Sequence, residues 1–508
     1  MPTTTPSLSP SVSPLRGSQG GWPTVVSSPA FSDPALTPIR AKVLVGERLS
    51  LADGELLFST PDIWTVCELA DLVRRRLHGD KGYYNINKHL NYSNVCALSC
   101  KFCEFYRKEG QDGAYTRDME YVRAQAAAAV ESGATEMHMV GGLNPYLTFS
   151  YYTDLVRTVR DTARSLGSDL HVKAFTAVEI VHLARIAKVY KNDDRQSGIR
   201  WVLSELKAAG LGSLPGGGAE VFDDRVHDEA YKGKIRSDVW LDVHRVAHEL
   251  GLNTNATILY GHIEQRHDRL VHMDMLRRAQ DRALARLGYA GIKASGDQGI
   301  KASEHQQIKG QQSGHLGFTA DEGVDIPVIT LTRPGTPLPE HIAFSSPTHP
   351  HSALPNPESR FPIPAALDAS IPHPSMPGFF QTIIPLPFFP DGSELERLPG
   401  PSGLENLRTL AVARLMLDNF PHVKAFWIMQ TLPMAQLMLQ NGADDIDGTV
   451  VWYDITKVGG ANTHQEVTVT SLQKAIRDAG FIPVERDTLY RRVTRDGKSW
   501  RVDAPARR

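Results

Sequence analysis

Cysteine is scarce in this sequence, because only four of the 508 residues are Cys. So few cysteines in a chain of this length exclude a disulfide framework. Charge of one sign is not in excess either, since 55 Lys and Arg residues face 57 Asp and Glu residues. A nucleic-acid partner or an anionic-membrane partner is therefore not indicated. No apolar run approaches the roughly 20 residues of a transmembrane helix, so the composition favours a large cytoplasmic protein.

Two stretches lack a regular hydrophobic pattern. Residues 1–40 are rich in Ser, Thr, Pro and Gly and have no basic start before an apolar core, which excludes a secretory signal and predicts a disordered tail. Residues 288–377 contain the pentapeptide Gly-Ile-Lys-Ala-Ser twice and are then dense in Pro, His and Ser, which predicts a low-complexity insertion. Residues 41–287 and 378–508 are expected to form the folded body, the second part completing the first.

This folded body alternates between helical and strand-like patterns. The predicted helices cover residues 61–77, 117–132, 149–166, 177–189, 199–209, 239–250, 270–284 and 404–417. The predicted strands cover residues 84–95, 136–140, 171–175, 253–259, 381–384 and 423–428. Strands that alternate with helices form parallel βαβ units, and this many units predict an α/β fold, a TIM-type (β/α) barrel.

The first predicted strand leads into a loop that carries Cys96, Cys100 and Cys103. The spacing Cys-x3-Cys-x2-Cys lets three thiolates converge on one centre, which suits an iron–sulfur cluster with one iron left open. A structural zinc site is the competing interpretation, but it takes four ligands and only His89 is near enough in sequence to complete the set. Cys67 lies on the apolar stripe of the first predicted helix and is interpreted as a core thiol.

Four further motifs follow predicted strands, where a parallel barrel binds its ligands. They are Gly141-Gly142, Lys173-Ala-Phe-Thr176-Ala-Val-Glu179, Gly216-Gly217-Gly218-Ala-Glu220 and Asn255-Ala-Thr257-Ile-Leu-Tyr260-Gly-His262. Glycines let the backbone approach a ligand closely. Thr176 and Glu179 either bind a ribose or an ammonium group or form a capping box for the next helix, and both interpretations stay open. The glycine run lacks the Lys-Ser/Thr of a P-loop, which favours close packing around a cofactor.

The pattern Cys-x3-Cys-x-Phe-Cys resembles the radical S-adenosylmethionine (SAM) superfamily. The resemblance implies that the three loop cysteines bind a [4Fe-4S] cluster whose fourth iron binds SAM. It also implies a set of residues that hold SAM, with the aromatic one near the adenine. These residues are Phe102, Gly141, Gly142, Thr176 and Glu179.

The stretches 140–145, 173–180, 213–222, 254–262 and 384–389 are similar to those of the aminodeoxyfutalosine synthase family, from the futalosine route to menaquinone. This resemblance covers about residues 41–288 and 378–493. It implies a transferase that cleaves SAM to methionine and adds the 5′-deoxyadenosyl radical to the enolpyruvyl ether of 3-hydroxybenzoate. The other products would be aminodeoxyfutalosine and bicarbonate. Asn144 departs from the family pattern, which leads us to expect His there and an altered pocket contact.

The implied partners are this small aromatic enol ether and an electron donor such as flavodoxin or ferredoxin. Because the substrate carries two carboxylates, the candidates for binding it are Lys173, Asn255, Tyr260 and His262. Two related radical SAM enzymes are alternatives: cyclic dehypoxanthinyl futalosine synthase, which would release free 5′-deoxyadenosine, and the deazaflavin-forming enzymes. A zinc-stapled binding protein is the alternative that is not an enzyme.

Overall fold

The computed structural model of the chain describes residues 33–288, 376–449 and 466–503. The strands are β1 (Lys81–Asn85), β2 (Asn87–Asn91), β3 (Glu136–Val140), β4 (His171–Ala174), β5 (Ser213–Leu214), β6 (Asn253–Tyr260), β7 (Phe380–Pro387), β8 (His422–Val423), β9 (Asp445–Gly448), β10 (Ile482–Glu485), β11 (Val493–Asp496) and β12 (Ser499–Val502). The helices are α1 (Thr37–Val45), α2 (Leu51–Ser59), α3 (Ile63–His78), α4 (Met119–Glu131), α5 (Phe149–Ser165), α6 (Ala177–Ile186), α7 (Arg195–Ala209), α8 (Asp224–Ala230), α9 (Ser237–Glu249), α10 (Arg266–Arg286), α11 (Gly403–Met416), α12 (Trp427–Gln430), α13 (Leu432–Leu439) and α14 (Val469–Asp478).

Strands β2 to β8 form a parallel sheet whose spatial order is the chain order. Strand β1 continues into β2 and pairs in parallel with β9 and β10. A parallel bridge between Lys424 and Asp445 joins the end of β8 to β9. The two ends of the sheet are thereby connected around a central space. The α/β barrel expected from the alternating sequence pattern is confirmed.

Local sequence explains where the helices begin. Side-chain oxygens of Asp62, Asp118, Thr176 and Ser402 accept backbone N–H bonds at the starts of α3, α4, α6 and α11. Such caps satisfy donors that have no partner inside the helix. Within the part of the chain that the structure describes, no helix has both the length and the apolar character needed to cross a membrane.

The strand predicted at residues 423–428 is wrong beyond its first residue, since β8 ends at Val423 and α12 begins at Trp427. The Ile383 carbonyl accepts from the Lys424 N–H, so this side of β7 faces β8. Pro385 and Pro387 lie two and four residues further along the same side, and neither has an N–H to donate. The ladder between β7 and β8 therefore stops after two residue pairs.

The folded body begins earlier than the boundary predicted near Arg40. Helix α1 begins at Thr37, and Leu36 and Ile39 are buried in the core. Leu36, Ile39 and Val43 are the buried apolar residues here, and three of them in a Ser- and Pro-rich setting are too few to reveal a helix by periodicity. Residues 1–32 of the predicted tail lie outside the described residues.

Residues 289–375, nearly all of the predicted insertion, also lie outside the described residues, but both flanks are placed. The Gly378 N–H donates to the His248 carbonyl at 2.7 Å. Arg286, at the end of α10, pairs with Glu249 at 3.5 Å. Both flanks therefore meet the carboxyl end of α9, which leads into the amino end of β6. This is the end of the barrel opposite the cysteine loop.

Candidate active site

A cavity of about 340 Å³ opens at the carboxyl ends of the barrel strands. It brings together most of the residues selected from the sequence. Those that line it are Cys96, Cys100, Phe102, Cys103, Gly141, Gly142, Lys173, Thr176, Glu179 and Asn255. Residues from four predicted motifs thus converge on one space, as the barrel topology requires.

The cysteine loop is fixed by the chain around it. The Lys108 ammonium donates to the carbonyls of Cys96 at 3.0 Å, Ala97 at 3.3 Å and Leu98 at 2.9 Å. The Ala97 N–H donates to the Leu143 carbonyl, in the loop after β3. These contacts hold the cysteine-bearing backbone against the neighbouring loop of the barrel.

The three loop thiols are free and face the cavity. Burial raises the pKa of Cys100 to about 11, and the nearby Lys234 ammonium opposes this rise. Burial also raises the pKa of Cys103. Cys67, in contrast, lies in the hydrophobic core on α3 and is 2% exposed, so its interpretation as a core thiol is confirmed.

Phe102, between the last two loop cysteines, packs edge-on against Tyr231 with ring centroids 5.9 Å apart. The Lys234 ammonium lies 4.9 Å from the centre of the Phe102 ring and pairs with Glu220. Sequence reasoning missed Lys234, because nothing in its short connection between α8 and α9 distinguishes it from a surface lysine.

Glu179 connects three parts of the site. Its carboxylate accepts hydrogen bonds from the Thr176 N–H and hydroxyl at 2.7 Å, from the Gly141 N–H at 3.1 Å and from the Tyr92 hydroxyl at 2.6 Å. The capping-box interpretation of Thr176 and Glu179 is confirmed. Burial raises the pKa of Glu179 despite these donors. Tyr92 was not selected from the sequence, because it precedes the cysteines in an unremarkable strand-like run.

Two glycines allow close approach of backbone at the cavity wall. A Cβ on Gly142 would lie 2.3 Å from the Val95 carbonyl oxygen, beside the cysteine loop. A Cβ on Gly216 would lie 2.6 Å from the backbone of Ala256 in β6. Neither position tolerates a side chain without a backbone shift.

The deepest part of the cavity is charged, and we call its five residues the inner layer: Glu136, His138, Lys173, Lys424 and Asp447. The Lys173 ammonium bonds to Glu136 at 2.8 Å, and the Lys424 ammonium bonds to Asp447 at 2.8 Å. Burial alone would raise the pKa of Glu136, but the charge of Lys173 and its neighbours holds it well below its usual range. Burial lowers the pKa of Lys173. Of this layer, the sequence analysis identified only Lys173. The other four residues could have been found from the presence of charged or polar residues in otherwise apolar strands.

Two of the four residues predicted to bind the substrate, Tyr260 and His262, lie away from the cavity. The Tyr260 hydroxyl donates to Asn406 at 2.9 Å and accepts from Gln430 at 3.0 Å. The His262 ring packs near Phe388 and bonds to the Leu259 carbonyl at 3.2 Å.

Asn144 donates to the Thr116 hydroxyl at 3.0 Å and accepts from the Tyr146 N–H at 2.9 Å. It is buried and does not line the cavity. The prediction that Asn144 alters a pocket contact is therefore wrong. Asn144 instead fixes the turn that follows Gly141 and Gly142.

Comparisons with known proteins agree with this geometry. The radical SAM superfamily matches residues 90–276, and the CofH/MqnC C-terminal region matches residues 377–497. The aminodeoxyfutalosine synthase of Thermus thermophilus is 36% identical over 465 residues, which are 91% of this chain and 96% of that protein. The chain belongs to the radical SAM superfamily. It is a radical SAM enzyme, and the superfamily uses a [4Fe-4S] cluster and SAM.

Other relatives are also similar over nearly their whole length. The aminodeoxyfutalosine synthase of Streptomyces coelicolor is 34% identical, over 89% of this chain and 92% of that protein. A 5-amino-6-(D-ribitylamino)uracil–L-tyrosine 4-hydroxyphenyl transferase of Methanosphaerula palustris is 30% identical, over 88% of this chain and 94% of that protein. Proteins named for different reactions are thus similar to this chain over nearly their whole length.

Solved structures share the fold at low sequence identity. Methylornithine synthase (PylB) has a TM-score of 0.54 at 14% identity and covers 88% of this chain and 97% of its own. The FeFe-hydrogenase maturase HydG from Carboxydothermus hydrogenoformans has the same TM-score and identity and covers 90% of this chain and 80% of its own.

The three thiols fit the superfamily's cluster better than a single zinc ion. Two thiolates bound to one zinc at about 2.3 Å cannot be more than about 4.6 Å apart. Among the described residues, the one set of three His, Cys or carboxylate ligand atoms within 4.8 Å of each other is His78, His422 and Asp444. The ligand atoms of the three cysteines are therefore further apart than binding to one zinc ion allows, and this wider spacing suits a larger cluster. Among the described residues His89 forms no such set with the cysteines either, and its ring lies against His138 at 4.5 Å between centroids.

Proposed function

We propose that this radical SAM enzyme is an aminodeoxyfutalosine synthase that acts in menaquinone biosynthesis. It would transfer the adenosyl group of SAM to the enolpyruvyl ether of 3-hydroxybenzoate, giving aminodeoxyfutalosine, methionine and bicarbonate. The observation that carries the proposal is similarity over 96% of the Thermus thermophilus synthase at 36% identity, against 30% for the tyrosine-dependent transferase.

In this proposal Cys96, Cys100 and Cys103 are the cluster ligands, because they are the thiols that share one loop at the cavity wall. When bound, the cluster and SAM supply the 5′-deoxyadenosyl radical. Lys108 holds the backbone that presents the thiols. Preformed ligands of this kind cost little reorganisation when the metal binds.

The adjacent wall holds SAM. Gly141 and Gly142 let the backbone approach the cavity closely, and Glu179 fixes this backbone from behind through the Gly141 N–H. Thr176 is held by the same carboxylate. Phe102 offers an aromatic face for the adenine, and its ring is packed in place by Tyr231.

The substrate occupies the rest of the cavity. Apolar side chains suit its aromatic ring and its vinyl group, and they exclude water from a reactive radical. They include Leu259, Ile384, Leu386, Phe388, Phe426 and Met429. Lys173 and Asn255 are the polar candidates for its carboxylates, whereas Tyr260 and His262 lie outside the lining and are not part of the proposal.

The reaction requires a reducing electron, which we assign to a small electron-transfer protein such as flavodoxin or ferredoxin. The cysteine loop is the part of the barrel that such a donor must approach. A reducing cytoplasm suits both this donor and three unpaired thiols.

The test is turnover by anaerobically reconstituted protein with SAM, dithionite and the enolpyruvyl ether, analysed by mass spectrometry. Methionine and aminodeoxyfutalosine formed in equal amounts support the proposal. Free 5′-deoxyadenosine in place of an adenosyl adduct would indicate a hydrogen-abstracting relative. A parallel incubation with tyrosine and 5-amino-6-(D-ribitylamino)uracil tests the other substrate class, and turnover there alone would overturn the proposal. The Cys96→Ala variant is the matched inactive control.

A further inference from the structure

The cavity is graded in polarity from its floor to its mouth. Alternate residues of a strand face the same side, and Glu136, His138 and Val140 of β3 line the cavity in that order. On β6 the order is Asn255, then Thr257, then Leu259. Both strands thus change from polar or charged residues at depth to apolar residues near the cysteine loop.

The inner layer crosses several strands at one level. In the strand register His138 lies opposite Lys173 on β4. On the other side of the cavity Lys424 comes from the residue after β8. The positive charge of Lys424 also acts on Lys173 and on Glu136, which places the two ammonium groups in one electrostatic neighbourhood.

This layer has more hydrogen-bond donors than it uses. Each lysine ammonium has three N–H donors, and the contacts to Glu136 and Asp447 account for one donor of each. The Nε2 atom of His138 is enclosed and has no hydrogen-bond partner within the described parts of the chain. Buried polar groups are normally paired, so an acceptor from outside the protein fits here.

We propose, resting on the function proposed above, that the inner layer is the subsite for the benzoate carboxylate of the substrate. His138 is then a specificity residue that donates a ring N–H to this carboxylate. The vinyl carbon must lie near SAM at the cysteine loop. The benzoate carboxylate is meta to the vinyl ether on the ring and points away from the vinyl carbon, so it reaches deeper into the cavity while the ring contacts the apolar residues between.

Charge supports a hydrogen-bonding subsite. The ammonium groups of Lys173 and Lys424 are already matched by carboxylates, and burial lowers the pKa of His138, so its ring is neutral at pH 7. A neutral imidazole offers one N–H donor. A bound carboxylate would therefore be recognised by hydrogen bonds from the unused N–H donors of Lys173, Lys424 and His138. Such bonds depend on position, and they favour a carboxylate that a rigid aromatic ring holds in one place.

The experiment measures equilibrium binding to the reconstituted holoenzyme with SAM and an unreduced cluster, so that no turnover occurs. The probes are the enolpyruvyl ether of 3-hydroxybenzoate and the enolpyruvyl ether of phenol, which lacks the ring carboxylate. The wild-type protein should bind the first at least tenfold more tightly. His138→Leu should reduce this preference about tenfold without changing the Kd of the phenol ether, because the lost bond is to a charged acceptor. His138→Gln, which keeps a donor, should retain most of the preference.

The matched control is His171→Leu. His171 is a half-buried histidine on β4 that bonds to Ser213 at 2.8 Å and does not line the cavity. This variant should keep the wild-type preference. Equal affinity of the wild-type protein for the two ethers would overturn the subsite even if aminodeoxyfutalosine is formed. Failure of both ethers to bind and to react would instead overturn the proposed function, and the subsite with it. Should His138→Leu not fold, the wild-type comparison and His138→Gln still decide.

Discussion

At the scale of single residues, the four cysteines have the same chemistry and different surroundings. Cys67 is packed in the hydrophobic core, where burial raises its pKa to about 11. Cys96 and Cys103 are only half-buried and line the cavity with Cys100. The nearby Lys234 ammonium favours the thiolates of Cys100 and Cys103, and the Arg408 guanidinium acts in the same direction on Cys67. Position in the fold, rather than residue type, separates the proposed cluster ligands from a core residue.

We expect Cys96→Ala, Cys100→Ala and Cys103→Ala each to abolish cluster assembly and SAM cleavage, because each would remove one of three ligands. Iron and sulfide analysis and the visible absorption spectrum after anaerobic reconstitution provide the measurement. Cys67→Ala is the control and should retain about four irons per chain, with a loss of stability on the order of 1 kcal/mol from the small cavity it leaves. A full iron complement in any of the three loop variants would contradict the ligand assignment.

At the scale of elements, the decisive unit is the loop between β2 and α4. It folds back on itself, since the Arg107 N–H donates to the Asn94 carbonyl and the Cys96 N–H donates to the Arg107 carbonyl. Lys108 then caps three successive carbonyls of the cysteine segment. A buried or ordered loop must satisfy its backbone groups in this way, so Lys108 replaces the hydrogen bonds that a helix or strand would provide.

Lys108→Met should leave the fold intact but loosen the cysteine loop, because three carbonyls lose a charged donor. We expect the variant to lose iron to a chelator at least several times faster than the wild-type protein, as followed by the decay of cluster absorbance. Lys101→Met is the control, since Lys101 contacts its surroundings through the backbone N–H to the Ala230 carbonyl. Equal rates of iron loss in Lys108→Met and wild type would refute this role.

At the scale of the whole molecule, the barrel accommodates a long interruption between α10 and β7. Both flanks end beside the carboxyl end of α9, through Arg286 to Glu249 and Gly378 to His248. A connection between points this close can be short, and the cost of closing a longer one grows only slowly with its length. The flanks also lie opposite the cysteine loop.

Replacing residues 288–377 with a short Gly/Ser linker should therefore preserve cluster content and turnover. The Kd for SAM and the rate of methionine formation are the measurements. The same linker placed between β3 and α5, at the carboxyl end of the barrel, is the contrasting variant and should impair both. Loss of SAM cleavage in a deletion variant that folds and holds its iron would show that the insertion contributes to the active site.

Buried histidines make the whole fold sensitive to acid. Burial lowers the pKa of His78, His248 and His272 to about 3 and that of His89 and His171 to about 4. In the unfolded chain a histidine titrates near about 6.5. Unfolding at a pH between these values therefore takes up protons, and the stability that these groups contribute at neutral pH is lost as the pH falls.

We expect the free energy of unfolding of the apo protein to fall steadily between about pH 6.5 and pH 4, by up to about 1.4 kcal/mol per pH unit for each such histidine. Urea unfolding at several pH values measures this slope. His171→Gln should reduce the slope of the unfolding free energy against pH by up to about 1.4 kcal/mol per pH unit, because the variant takes up one proton fewer on unfolding. A stability that stays constant over this range would contradict the burial of neutral histidines.

The sequence by itself determined the grouping of three cysteines on one loop, the alternating architecture and the Thr176–Glu179 capping box. Each of these depends on spacings within a few residues, which local geometry translates directly into structure. The contact of Tyr92 with Glu179 and the inner layer of Lys173 and Lys424 were decided by the tertiary structure, as was the position of Lys234 above Phe102. These partners are separated by tens to hundreds of residues, and only closure of the barrel brings them together. A local sequence pattern cannot predict which inward-facing side chains will share one cavity, because this depends on strand register and on the packing of the entire sheet.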